Sequence, residues 1–248
     1  MEPVKIMFIS NGKGEDSIAY TIIKALQNVA NEEKPTEVFI KALPLVGNGR
    51  AYERSGVNLV GNWKELPSRG FGGQRVSSLL KDISAGLMHI TREQISVLNN
   101  EAATCDVLVC VGDMYPVLLA GLFTDKPIVH VATAISAYFH KYSLLERWLF
   151  KKFCKLVITR DLPTAQYLLQ HKGRAAYFGN PMMDDEAIRS DGLKYSIGDR
   201  HIVTLVPSSR GDAYENTARM LKVIEEIGHK QSMAWILYLA PKNTKKKN

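Results

Sequence analysis

Apolar residues in this chain come in short unbroken runs, and the stretches between those runs carry apolar positions at helical spacing. Val4–Ser10 (VKIMFIS), Asp106–Val111 (DVLVCV), Pro127–Ala132 (PIVHVA) and Lys155–Thr159 (KLVIT) read as buried parallel strands. Glu37–Ala42 is a further strand, Val57–Val60 a weak one, and Ala175–Phe178 closes the series at Gly179-Asn180-Pro181. Between them, Ile18, Ile22, Leu26 and Val29 share one helical face, and Val76, Leu79, Leu80, Ile83, Leu87 and Ile90 share another. Strand–helix alternation of this kind predicts an α/β fold whose parallel sheet is covered by helices on both faces.

The pattern then restarts. Ile202–Val206 runs into the loop Pro207-Ser208-Ser209-Arg210, a helical pattern follows, and Ala234–Ala240 reads as another strand. Only 48 residues remain from His201 to Asn248, whereas a domain typically takes on the order of 100 or more. The expected organisation is therefore a doubly wound, Rossmann-like domain over residues 1–178, an interdomain crossover over 179–200, the start of a second such domain over 201–241, and a basic tail over 242–248.

Composition alters this picture little. At 248 residues, 46% hydrophobic and 23% charged, the chain can bury one large core or two modest ones. The net charge of +7, less the four of Lys242, Lys245, Lys246 and Lys247, leaves +3 for the body, so the basic balance gives no argument for nucleic-acid binding. Cys105, Cys110 and Cys154 are odd in number and lack metal-site spacing, which predicts buried thiols in a reducing, cytoplasmic compartment. The six histidines are scattered without a His-x-x-x-His pair, so no metal site is expected. No apolar run reaches the ~18 residues of a membrane span.

Candidate chemistry gathers where predicted strands end: Asn11–Asp16, Asp113, Thr133, Arg160 with Asp161, and Ser208–Arg210. In open α/β sheets ligands bind at that edge. Gly12 and Gly14 allow close backbone approach, but Ser17 stands where a dinucleotide fingerprint needs its third glycine. Glu15 and Asp16 would repel a phosphate there. They suit a hydroxyl-rich acceptor and could take its proton, or could complement the positive end of the helix. Asp113, at the mouth of an apolar strand, is a candidate base or a helix cap. Ser208, Ser209 and Arg210 together make a plausible diphosphate receptor. Residues 138–155 mix Leu144, Leu145, Trp148, Leu149 and Phe153 with His140, Lys141, Arg147, Lys151, Lys152 and Lys155. Such a segment either packs into the core with a solvated basic face or rests on anionic lipid headgroups.

Several blocks occur in an order that resembles the lipid-A-disaccharide-synthase-related proteins: residues 9–16, Leu43-Pro44-Leu45-Val46-Gly47, Gly112-Asp113, Thr159-Arg160-Asp161, Gly179-Asn180-Pro181-Met182-Met183-Asp184 and Val206-Pro207-Ser208-Ser209-Arg210. The resemblance implies a GT-B glycosyltransferase. It would carry out a metal- and cofactor-independent, inverting transfer from a UDP-sugar donor to a lipid-linked or glycolipid acceptor, at the cytoplasmic membrane face. Asn11, Gly12 and Gly14 would face the acceptor, Asp113, Glu15 and Asp16 would be the catalytic candidates, and Ser208, Ser209, Arg210 and Asn180 would approach the donor. The pattern differs from the synthase in its N-terminal loop and in Ser208, which replaces a glycine, so the acceptor need not be a lipid A precursor. The resemblance also implies a shortened donor half with negligible turnover. The alternatives are a UDP-sugar epimerase of the same fold and a non-catalytic glycolipid-binding module.

Overall fold

The computed structural model describes residues 3–32, 37–46, 49–54, 56–61, 88–184, 201–207, 213–227 and 233–238. The predicted strands assemble into one seven-stranded sheet: β1 (Val4–Ser10), β2 (Val38–Pro44), β3 (Asn58–Leu59), β4 (Val107–Gly112), β5 (Ile128–Ala132), β6 (Cys154–Thr159) and β7 (Ala175–Ala176). Their order is β3-β2-β1-β4-β5-β6-β7, and every pairing is parallel. Helices α1 (Lys13–Glu32), α2 (Met88–Ala102), α3 (Met114–Phe123), α4 (Leu144–Phe153) and α5 (Leu162–Gln170) fall between the strands.

Strand side chains alternate between faces, and two apolar clusters form accordingly. Met7, Ile9, Leu108 and Cys110 join Leu98, Val117, Phe150 and Leu168 in one cluster. Phe8, Val109, Val111 and Ile40 join Ile18, Ala19 and Ile23 of α1 in the other. Near-continuous apolar strands are what a sheet covered on both faces requires.

Two expectations need correction. Leu26 and Val29 are exposed rather than inward, because the line that α1 buries runs through Ile18, Ala19 and Ile23. The last strand stops at Ala176; Tyr177 and Phe178 are exposed, since an edge strand has a neighbour on one side only. The helical face drawn through Val76 to Ile90 falls on side chains outside the described residues; the described helix, Met88–Ala102, buries Gln94, Leu98 and Ala102.

One close approach fixes the packing of α3 on α4. A Cβ on Gly121 would overlap the Phe153 ring. Gly121→Val is expected to destabilise the fold by about 2 kcal/mol through overpacking, although valine is the better helix former. Urea unfolding checks this: an unchanged midpoint would show that Phe153 can give way freely.

The chain divides into two units, Met1–Arg189 and Ser190–Asn248. In the second, β8 (His201–Leu205) pairs in parallel with β9 (Met233–Leu237), and α6 (Ala213–Ile227) connects them.

Candidate functional site

β1 and β4 lie side by side at the centre of the large sheet, yet the chain leaves β1 towards β2 on one side and β4 towards β5 on the other. Connections that depart in opposite directions open a crevice at the carboxyl ends of the two strands. Asn11 follows β1 and Asp113 follows β4, and the two meet across that crevice. Asn11 Nδ2 donates to both carboxylate oxygens of Asp113 at 3.0 Å. Asp113 Oδ1 also accepts from the Tyr115 N–H at 2.9 Å, which caps α3. The helix cap foreseen for this residue is present, and the same carboxylate faces the crevice. Burial raises the Asp113 carboxyl above its ordinary range, with the Tyr115 N–H and Asn11 opposing. Asn11 Oδ1 is buried without a hydrogen-bond partner among the described residues.

Two glycines let a second carboxylate into the same place. Gly112 has φ +123°, and a Cβ there would come within 2.9 Å of Glu15 Cγ. A Cβ on Gly12 would overlap Glu15 Oε2. The Glu15 side chain therefore lies across both glycine backbones, between the ends of β1 and β4. Gly14 behaves differently: it is exposed, with open space where a Cβ would stand.

Asp16 occupies the interior instead. It is 2% exposed, so it presents almost no surface to a ligand. Ser10 Oγ donates to Asp16 Oδ1 at 2.6 Å, and Ser10 Oγ also lies 2.6 Å from the Tyr52 hydroxyl. Because serine has one proton to give, the Tyr52 hydroxyl is the donor in the second bond. Burial, opposed by Ser10, pushes the Asp16 carboxyl up to about 7. Tyr52 is fully buried in the short 3₁₀ turn Tyr52–Arg54, and desolvation drives its hydroxyl well above the usual phenol range. Sequence reasoning named neither Ser10 nor Tyr52, because no spacing rule links a strand end to a tyrosine 42 residues later.

The edge continues past β5 and β6. Arg160 donates to the Thr133 carbonyl at 3.2 Å. Asp161 caps α5 by accepting from the Thr164 N–H at 2.9 Å. Although burial acts to raise it, bonds from Thr164 and Ser136 outweigh that and hold its carboxyl below the ordinary range. The Tyr142 hydroxyl is buried without a partner among the described residues; burial first, then the charges of Glu146, Asp161 and Asp113 against that of Arg160, raises it above the usual phenol range. Asn180 caps the 3₁₀ turn Pro181–Met183, accepting from the Met182 N–H at 3.1 Å. Ser208, Ser209 and Arg210 lie outside the described residues. Cys105, Cys110 and Cys154 are buried free thiols, and burial pushes Cys154 up to about 12. Among the described residues no group of three or more His, Cys, Asp or Glu is arranged to hold a metal ion. No described helix is long and apolar enough to cross a membrane.

No protein-family model matches this chain, and no curated protein matches it. Solved structures do. S. aureus MnaA, in a structure with UDP, aligns over 96% of this chain and 64% of its own, with TM-score 0.59 and 18% identity. A UDP-GlcNAc 2-epimerase from Neisseria meningitidis bound to UDP-GlcNAc aligns over 96% of this chain and 66% of its own, with TM-score 0.56 and 13% identity. The calicheamicin glycosyltransferase CalG4 aligns over 97% and 66%, with TM-score 0.58 and 11% identity. The chain spans just under two thirds of the length of these neighbours, which are GT-B enzymes and include both epimerases and glycosyltransferases. At such low identity the likeness establishes the fold: α/β and GT-B-like, with a doubly wound parallel sheet.

Proposed function

We propose that this chain belongs to a glycosyltransferase related to lipid-A-disaccharide synthase, which transfers a sugar with inversion from a UDP-sugar to a hydroxyl of a lipid-linked or glycolipid acceptor. The observation that carries this reading is the Asn11–Asp113 pair across the switch point, with Glu15 beside it. A crevice furnished with carboxylates and an amide suits a hydroxyl far better than a phosphate. In this reading the acceptor hydroxyl gives its proton to Asp113 as its oxygen bonds to the anomeric carbon. The bond from that carbon to the diphosphate oxygen breaks in the same displacement, UDP leaves, and the configuration inverts. Glu15 orients the acceptor, Asp16 anchors the loop from within, and Ser208, Ser209 and Arg210 receive the diphosphate.

A second reading, a UDP-sugar epimerase, is favoured by the epimerases among the structural neighbours. Product analysis separates the two. The transferase releases UDP from a UDP-sugar only when a glycolipid acceptor is present. An epimerase changes the sugar with no acceptor at all. Glycolipid binding with neither reaction would leave a binding module and end the sugar-transfer proposal.

A further inference from the structure

Helix α4 carries two apolar faces, and only one is used by the core. Leu149 and Phe150 are buried against the sheet, where Phe150 packs on Tyr142 and His130. Leu144, Leu145 and Trp148, neighbours on the opposite side of the helix at i, i+1 and i+4, are each more than half exposed. The segment leading into the helix adds Tyr138 and Phe139, the latter 92% exposed. Single exposed apolar residues are ordinary, but several large ones on one helix face mark an interaction surface.

The charges around this face identify what it meets. Lys151 and Lys152 stand one turn beyond Trp148 on the same side, exposed, with the Lys152 ammonium 4.8 Å from the Trp148 ring centroid. Lys141, exposed on the connection into the helix, adds a third cation, whereas Arg147 turns inward onto the Tyr167 ring with its Nε buried. From Tyr138 to Lys155 five Lys and Arg residues face one acid, Glu146, and the carboxylate of Glu146 is engaged in the Ser143 capping box. Leucines and a tryptophan inside a lysine collar match a bilayer interface, where apolar side chains enter the acyl boundary and cations meet phosphates. A protein partner would need the cations paired one by one; a lipid surface does not.

We infer that the exposed face of α4, together with Tyr138 and Phe139, docks on the surface of an anionic phospholipid bilayer. The inference stands on this surface alone and needs no assumption about the reaction. It also fits the site: α4 begins on the connection leaving the carboxyl end of β5, next to Tyr142, on which Asp113 acts. The same edge of the sheet would then meet both the bilayer and a lipid-borne acceptor.

Cosedimentation of the full chain with vesicles tests this. The chain is expected to pellet with vesicles of phosphatidylglycerol and phosphatidylcholine in equal parts, to remain in solution with phosphatidylcholine alone, and to be released by salt. K151Q/K152Q should weaken partitioning by roughly 25-fold, at about fivefold per lysine. L144S/L145S should abolish it with an unchanged circular dichroism spectrum; F139S, outside any helix, gives the same loss should the helix variant not fold. The tail lysines are a separate cationic segment, so K245Q/K246Q/K247Q should still pellet. The inference is overturned by failure to pellet, by pelleting that L144S/L145S and F139S leave intact, by equal binding to neutral vesicles, or by loss confined to the tail variant. A concentration-dependent dimer broken by L144S/L145S would assign the face to a second copy of the chain and overturn it equally.

Discussion

Asp16→Asn is expected to stabilise the fold by up to about 4 kcal/mol at about pH 8 and to leave it nearly unchanged near about pH 4. The native carboxyl is raised from 3.8 to about 7, chiefly by burial, while the unfolded chain titrates near the ordinary value. Between those two pH values the native state holds a proton that the unfolded state has released. Stability is therefore fully present below about 3.8 and is lost as pH climbs to about 7. Asparagine mimics the protonated acid: its oxygen still accepts from Ser10, and it has no charge to desolvate. His130 works in the opposite sense. Burial lowers it from 6.5 to about 4, with its bond to the Cys110 carbonyl opposing. Its contribution is present above about 6.5 and is lost as pH falls towards 4. The two slopes oppose one another over the shared window, so the wild-type profile is flatter than either group alone would make it. Removing Asp16 exposes the histidine, and the variant should lose about 3 kcal/mol more than the wild type between neutral pH and about pH 4. Urea unfolding of both proteins across this range, read as a difference, cancels the groups they share. A variant with the wild-type pH slope would mean that Asp16 titrates normally.

The same residues show what the sequence could and could not disclose. β4 was legible because five consecutive apolar positions followed by Gly-Asp admit few structures other than a buried strand. Asp113 and the loop after β1 were legible for a related reason: polar residues that interrupt such runs mark the sheet edge, and the strand order then brings the edges of β1 and β4 together. The exposure of Leu26 and Val29 was not, since both keep the helical spacing although the buried line of α1 runs through Ile18, Ala19 and Ile23. Tyr52 was invisible because its value lies wholly in a fold-back over Ser10, a contact no local pattern encodes. On α4 both faces are apolar at helical spacing. Periodicity alone could not decide which of Leu149–Phe150 and Leu144–Trp148 turned inward; only the placement of β5 and β6 decides it.

In an enzyme with its donor half complete, Asp113→Asn is expected to slow sugar transfer by roughly 10²–10⁴-fold, the usual range for loss of a general base, while changing stability by no more than about 1 kcal/mol. The argument rests on the two jobs this carboxylate holds. As a cap it needs one acceptor oxygen for the Tyr115 N–H, and asparagine keeps it. Towards Asn11 the carboxylate accepts from a single amide nitrogen. A rotation of the Asn11 amide would present Oδ1, now unpartnered, to the new amide donor. The fold thus has a way to absorb the substitution, whereas no amide can take a proton from a sugar hydroxyl. Asp113→Ala should be as slow and also less stable by about 1 kcal/mol, because the cap is gone. Reading UDP release over long incubations resolves slow rates, and thermal unfolding reads the cap separately. A residue that only caps α3 predicts the reverse ranking, with asparagine close to wild type in both measurements and alanine impaired in each in proportion to its lost stability. Full transfer by the asparagine variant would move the base to Glu15, the other carboxylate that reaches the crevice.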